Sequence, residues 1–202
     1  VSFRGEIHPI AEQVAVRMRG VSWHPELPGG FVSPALDELR LLVLSFWTFD
    51  DQSAQGQLIV RASVADEVVS IFRNIYEARF PIERMQLVCD YAADDERSMA
   101  ANNTSAFNCR LVAGTGRPSA HASGLAIDIN PVQNPYVVNG SVHPKAATAY
   151  LDRTKLRPGM LTEDGPVVRA FVRAGWDWGG LWDEPKDYHH FQKATDSPDH
   201  DE

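Results

Sequence analysis

Residues 41–49 read Leu-Leu-Val-Leu-Ser-Phe-Trp-Thr-Phe, an almost unbroken apolar run. A run of this length is the mark of a buried strand. The turn-rich segment 50–56 follows, and then Gln57-Leu58-Ile59-Val60 supplies a second short apolar stretch, so the two predict a strand pair. Such a pair needs a core to cover it. With 202 residues the chain can build one without disulfide staples.

The remaining pattern is short and frequently interrupted. Pro9, Pro25, Pro28, Gly29, Gly30 and Pro34 break residues 1–39 into an irregular arm with one short helix around 10–18. Ser63-Val64-Ala65-Asp66 resembles a capping box, and Val68, Ile71, Phe72 and Ile75 then recur at helical spacing. That helix should end near Arg79, before Pro81. Strands are expected over 85–91, 106–110 and 125–129, the last with Leu125, Ile127 and Ile129 on one face and Asp128 on the other. Residues 131–166 form a long Pro-, Gly-, Asn- and Thr-rich excursion with a short helical piece, the kind of segment that makes lids and binding loops. A second helix over 166–174 is stopped by Gly175, and closing strands are expected at 176–180 and 188–192. The fold class is α+β, a mostly antiparallel sheet with flanking helices. One domain spans 40–195, between the arm at 1–39 and an acidic tail at 196–202.

Charge narrows the partners. Lys and Arg number 19 against 27 Asp and Glu, a formal charge of −8, which argues against a nucleic-acid partner. No apolar run approaches the ~20 residues that span a bilayer. Cys89 and Cys109 lack Cys-x-x-Cys spacing, leaving two free thiols or one bridge.

Of the 7 histidines, His121 and the His189/His190 pair lie in densely patterned surroundings. Ser119-Ala120-His121-Ala122-Ser123-Gly124-Leu125-Ala126-Ile127-Asp128 sets an imidazole ahead of a strand carboxylate. Asp187-Tyr188-His189-His190-Phe191 adds imidazoles and a further acid from a distant part of the chain. A catalytic zinc site needs these groups: three protein ligands, an open position and a nearby base.

The two segments, Ser-x-His-x-x-Gly-x-Ala-x-Asp at 119–128 and Asp-x-x-His-Phe at 187–191, resemble the D-alanyl-D-alanine carboxypeptidase and L-alanyl-D-glutamate endopeptidase family of zinc peptidases. Segments 103–110 and 175–182 look like the same family. The resemblance implies a fold shared with the hedgehog N-terminal domain. It also implies one Zn2+ per chain held by His121, Asp128 and His190, with Asp187 as general base and Glu184 as the fallback. Arg110 would steady a substrate carboxylate or the oxyanion, its other reading being a structural salt bridge. Ser119 would sit beside the pocket or brace a turn, and Trp182 would form a pocket wall. Strand alternation predicts that His189 and His190 cannot share a face, leaving His189 at the surface or behind the ligands. The implied substrates are peptidoglycan stem peptides or small D-amino-acid-containing peptides. Cleavage would fall at L-Ala-D-Glu, which Asp rather than Glu at position 187 favours, or at D-Ala-D-Ala. The rival is a non-catalytic zinc-containing module that binds cell wall or ligand. The substrate leads to an expectation of a monomer in the extracellular space or cell envelope, for a chain that opens at Val1 without Met or leader; the same motifs fit phage lysis.

Overall fold

A computed structural model describes residues 2–112 and 114–194, so the tail at 196–202 lies outside the described residues. The chain begins with β1 (Gly5–Pro9), α1 (Glu12–Met18) and the short strands β2 (Glu26–Leu27) and β3 (Phe31–Val32). The apolar run forms β4 (Leu39–Trp47), paired antiparallel with β5 (Ser53–Arg61) from Leu39↔Arg61 to Trp47↔Ser53. β1 pairs with the free edge of β4, giving the order β1-β4-β5. The segment read as an irregular arm therefore supplies an edge strand as well as the expected helix.

Side-chain alternation divides the hairpin between two cores. Leu42, Leu44, Phe46, Leu58 and Val60 join the larger one, under α2 (Ala65–Glu77), with Val68, Ile71, Phe72 and Ile75. Leu39, Leu41 and Ile59 face the opposite way and pack with Met18, Leu27, Leu87, Phe107 and Ala122. Both faces are covered, which is why the run lacks polar alternation. The capping box at 63–66 does not form. A 3-10 turn at Ala62–Val64 leads straight into α2, whose N-cap, Val64, has no side-chain bond to give.

Two expected strands are also replaced. Arg84–Met85 is β6, parallel to β7 (Asn103–Thr104), and between them lies α3 (Asp95–Ala100). The Asn103 side chain accepts from Gln86 N and donates to Gln86 O, at 2.9 and 3.0 Å, taking the place of a neighbouring strand. Val88–Tyr91 then coils into a 3-10 turn. Asp94 caps α3 by accepting from Arg97 N at 3.0 Å, so the acidic stretch is a helix start. Over 106–110, Phe107 N donates to Ile59 O, Asn108 N to His121 O and Cys109 N to Ser22 O. Backbone groups bonded to three separate segments make no ladder. Cys89 and Cys109 are both free thiols.

The C-terminal half holds β8 (Ala126–Asp128), the hairpin β9 (Tyr136–Val138) and β10 (Ser141–His143), then α4 (Pro166–Arg173). Short strands β11 (Asp177–Trp178), β12 (Lys186–Asp187) and β13 (His190–Gln192) close it. The long excursion is thus partly regular, with β9 and β10 followed by a 3-10 turn at Lys145–Tyr150. Pro166 occupies the first turn of α4, where a missing N–H costs nothing, and Gly175 ends it at φ +78°. Two sheets of order β11-β13-β8 and β10-β9-β12 frame the site. Helices beside antiparallel sheets make the fold α+β, with β6–β7 as a parallel pair. No helix among the described residues is long and apolar enough to cross a membrane.

Candidate metal centre and cleft

The β13–β8 register sets His190 opposite Asp128, with Phe191 opposite Ile127. Phe191 and Ile127 point into the larger core, which turns His190 and Asp128 to the other face together. His121 arrives from a 3-10 turn at Ala120–Ser123, anchored below by Ala122 in the smaller core. Ser119 caps that turn, its hydroxyl accepting from His121 N at 3.3 Å. Gly124 ends it at φ +73°, where an added Cβ would come within 2.8 Å of Arg61 N, so only glycine fits. The two cores thus hold the site's two halves.

The donor atoms of His121, Asp128 and His190 all lie within 4.8 Å of one another, and all three residues are buried. Asp128 Oδ2 is 3.1 Å from His121 Nε2, and Oδ1 is 2.9 Å from His190 Nδ1. His121 Nδ1 donates to Ala106 O at 2.6 Å, which leaves Nε2 with its lone pair toward the cluster. Two imidazoles and a carboxylate, one ring locked in the ligating tautomer, fit a divalent cation of zinc's preference. Asp187 adds a further mark of such a site: its Oδ1 is buried with no hydrogen-bond partner among the described residues.

Charge in the cluster is strongly coupled. Burial pushes Asp128 up, but the surrounding imidazoles of His121, His189 and His190 hold it well below the usual carboxylate range. Burial also raises Asp187, and there the neighbouring imidazoles do not fully offset it. A raised carboxylate is the better proton acceptor near neutral pH. His190 is raised to about 9: burial opposes this, and the hydrogen bond and charge of Asp128 outweigh it.

The cluster opens into a cleft of ≈ 510 Å3. Ser119, Arg110, Trp182 and Asp187 all line it, whereas Glu184, the fallback base, is not among the lining residues and accepts from Asn139 N at 2.9 Å. Trp182 stands 5.5 Å from the His190 ring. Arg110 Nη2 donates to Asp95 Oδ2 at 2.7 Å, so it is both part of a salt bridge and a cleft residue. Ser119 likewise both braces its turn and lines the cleft.

His189 is the main correction. It is 3 % exposed and lines the same cleft. It belongs to the turn between β12 and β13, where strand alternation does not apply, so both neighbouring rings reach the site. Its Nε2 lies 3.1 Å from Asp187 Oδ1 and 3.8 Å from Asp128 Oδ2. Tyr136 was also missed. β9 pairs it with Asp187, and burial with the charges of Asp187 and Glu184 raises its hydroxyl. Nothing in the sequence of the excursion marks it, because its neighbour is chosen by strand pairing.

The fold and cleft are those of a protein able to hold a metal beside an unsatisfied carboxylate. A family model described as D-alanyl-D-alanine carboxypeptidase matches residues 113–193, a segment that contains His121, Asp128, Trp182, Asp187 and His190. Over that segment the chain is similar to this peptidase family, and the similarity supports a peptidase. No curated protein and no solved structure gives a significant match.

Proposed function

We propose that the protein is a monozinc peptidase that hydrolyses amide bonds in peptidoglycan stem peptides or small D-amino-acid-containing peptides. The observation that carries the reading is the convergence of His121, Asp128 and His190 beside Asp187, whose Oδ1 has no hydrogen-bond partner among the described residues, within the segment matched to the peptidase family. His121, Asp128 and His190 would hold the zinc. When bound, zinc polarises the scissile carbonyl and lowers the pKa of water.

The chain's own residues supply the rest. Asp187 accepts a proton from the attacking water and returns it to the leaving amine. Arg110 stabilises negative charge developing on the carbonyl oxygen. Trp182 and Tyr136 wall the cleft and limit how the peptide lies. Arg110 is the sole Arg or Lys among the cleft-lining residues, and Asp95 already pairs with it at 2.7 Å. A terminal residue is best gripped by an unpaired cation, so this pairing supports cleavage within a peptide, at L-Ala-D-Glu, over removal of a terminal D-Ala. Such a substrate places the protein in the extracellular space or cell envelope.

The test is digestion of muropeptides of defined sequence, with fragments identified by mass spectrometry, before and after chelation and after zinc is restored. Fragments from the L-Ala-D-Glu bond, lost on chelation and regained with zinc, are expected. Zinc bound at about one per chain with no cleavage of any stem peptide would favour a binding module instead.

A further inference from the structure

His189 is held at both ends of its ring. Nδ1 donates to the Asn134 carbonyl at 2.7 Å, and since a carbonyl only accepts, Nδ1 carries a proton and Nε2 is aimed at the cleft. Asn134 is itself fixed and fully buried. Its amide donates to Ile129 O, Asn130 O and Gly159 O, and its Oδ1 accepts from Leu161 N at 2.7 Å. This anchor joins the end of β8 to the far side of the excursion. From it, Nε2 reaches within 3.1 Å of Asp187 Oδ1. The approach is a close contact and not an aligned hydrogen bond, because Oδ1 has no hydrogen-bond partner among the described residues.

We propose that His189 is a positioning residue for Asp187: from its anchor on Asn134 it holds the carboxylate against the His121–Asp128–His190 cluster while leaving Oδ1 open to take a proton. The proposal rests on the peptidase reading in which Asp187 is the base. A ring that only filled the core would need neither the Asn134 bond nor an approach to a carboxylate. A ring that bound metal would instead be required for zinc.

Three variants separate these roles. His189→Ala removes both ends, His189→Asn keeps a donor near Asn134, and His189→Gln keeps a polar group near the Nε2 position, against Asp187. Zinc content should match the unaltered protein in all three, and KM should stay within about twofold, while kcat falls about tenfold to a hundredfold in His189→Ala and His189→Asn and largely returns in His189→Gln. Zinc loss in His189→Ala would make the residue a ligand, and equal kcat in all three would make it packing; either overturns the proposal. A crystal structure of His189→Ala gives a readout independent of turnover: the Asp187 carboxylate should leave its place, and finding it unmoved overturns the proposal. If the unaltered protein cleaves no stem peptide, the peptidase reading fails, and the carboxylate position still decides the role of His189.

Discussion

With the proposed metal site kept empty by a chelator, the protein's stability should fall with rising pH in a window set by His190. In the folded chain that imidazole is raised from 6.5 to about 9: burial works against the charge, and the hydrogen bond and charge of Asp128 and the charge of Asp187 prevail. Folded chain therefore keeps a proton that the unfolded chain releases above 6.5. The stabilisation is complete below 6.5 and is lost as pH climbs to about 9; at about 1.4 kcal/mol per pH unit the loss is on the order of 3 kcal/mol. The depression of Asp128 comes chiefly from His121 and His189, and the smaller share from its contact with His190 is not counted again. It acts at the acid end, where stability present above the ordinary carboxylate pKa is lost as pH falls. Urea unfolding of chelated protein, at steps from about pH 6 to about pH 9.5, measures the effect directly. Zinc competes with protons for the imidazoles, so its stabilising increment should grow across the same window. A chelated protein equally stable at both ends, or a zinc increment that ignores pH, would refute the argument.

Asp187→Ala should retain zinc, since Asp187 is not among the three clustered donors, and lose about 10²- to 10⁴-fold in kcat. Glu184→Ala in parallel should retain turnover; the reverse result would move the base to Glu184. Phe171 is fully buried and stacks on Phe191, beside His190, at 4.0 Å between ring centroids. Phe171→Ala should cost about 3–5 kcal/mol in chemical denaturation, and a loss under about 1 kcal/mol would mean that β13 is held from elsewhere.

The candidate metal cluster was legible because its spacing is local. Gly124 must follow His121 to end a single turn, and Asp128 must sit on a strand facing away from Ile127 and Ile129. Both demands leave marks within a few residues. Asp187 and His190 share one turn and one strand start, so they too appear as a short motif. The helices α2 and α4 were legible for the same reason, their apolar residues recurring at one helical spacing. The strands expected at 85–91 and 106–110 were not, because their apolar residues divide between the two cores while their backbone bonds go to side chains and separate segments. The role of β1 was hidden by the prolines around it, since Pro9 can end an edge strand without weakening the pairing before it.

By itself, the sequence marked His121, Asp128 and His190 as candidate ligands, Asp187 as candidate base, and the apolar pattern that must be buried. Only the tertiary structure decided which groups meet across the cleft. Asp95 reaches Arg110 because the cap on α3 turns it inward, and Tyr136 meets Asp187 through the register of β9 and β12. His189 enters the site because it lies in a turn, where the period of two no longer assigns faces. Local spacing is written along the chain; contacts between distant segments depend on register and packing, which no short stretch encodes.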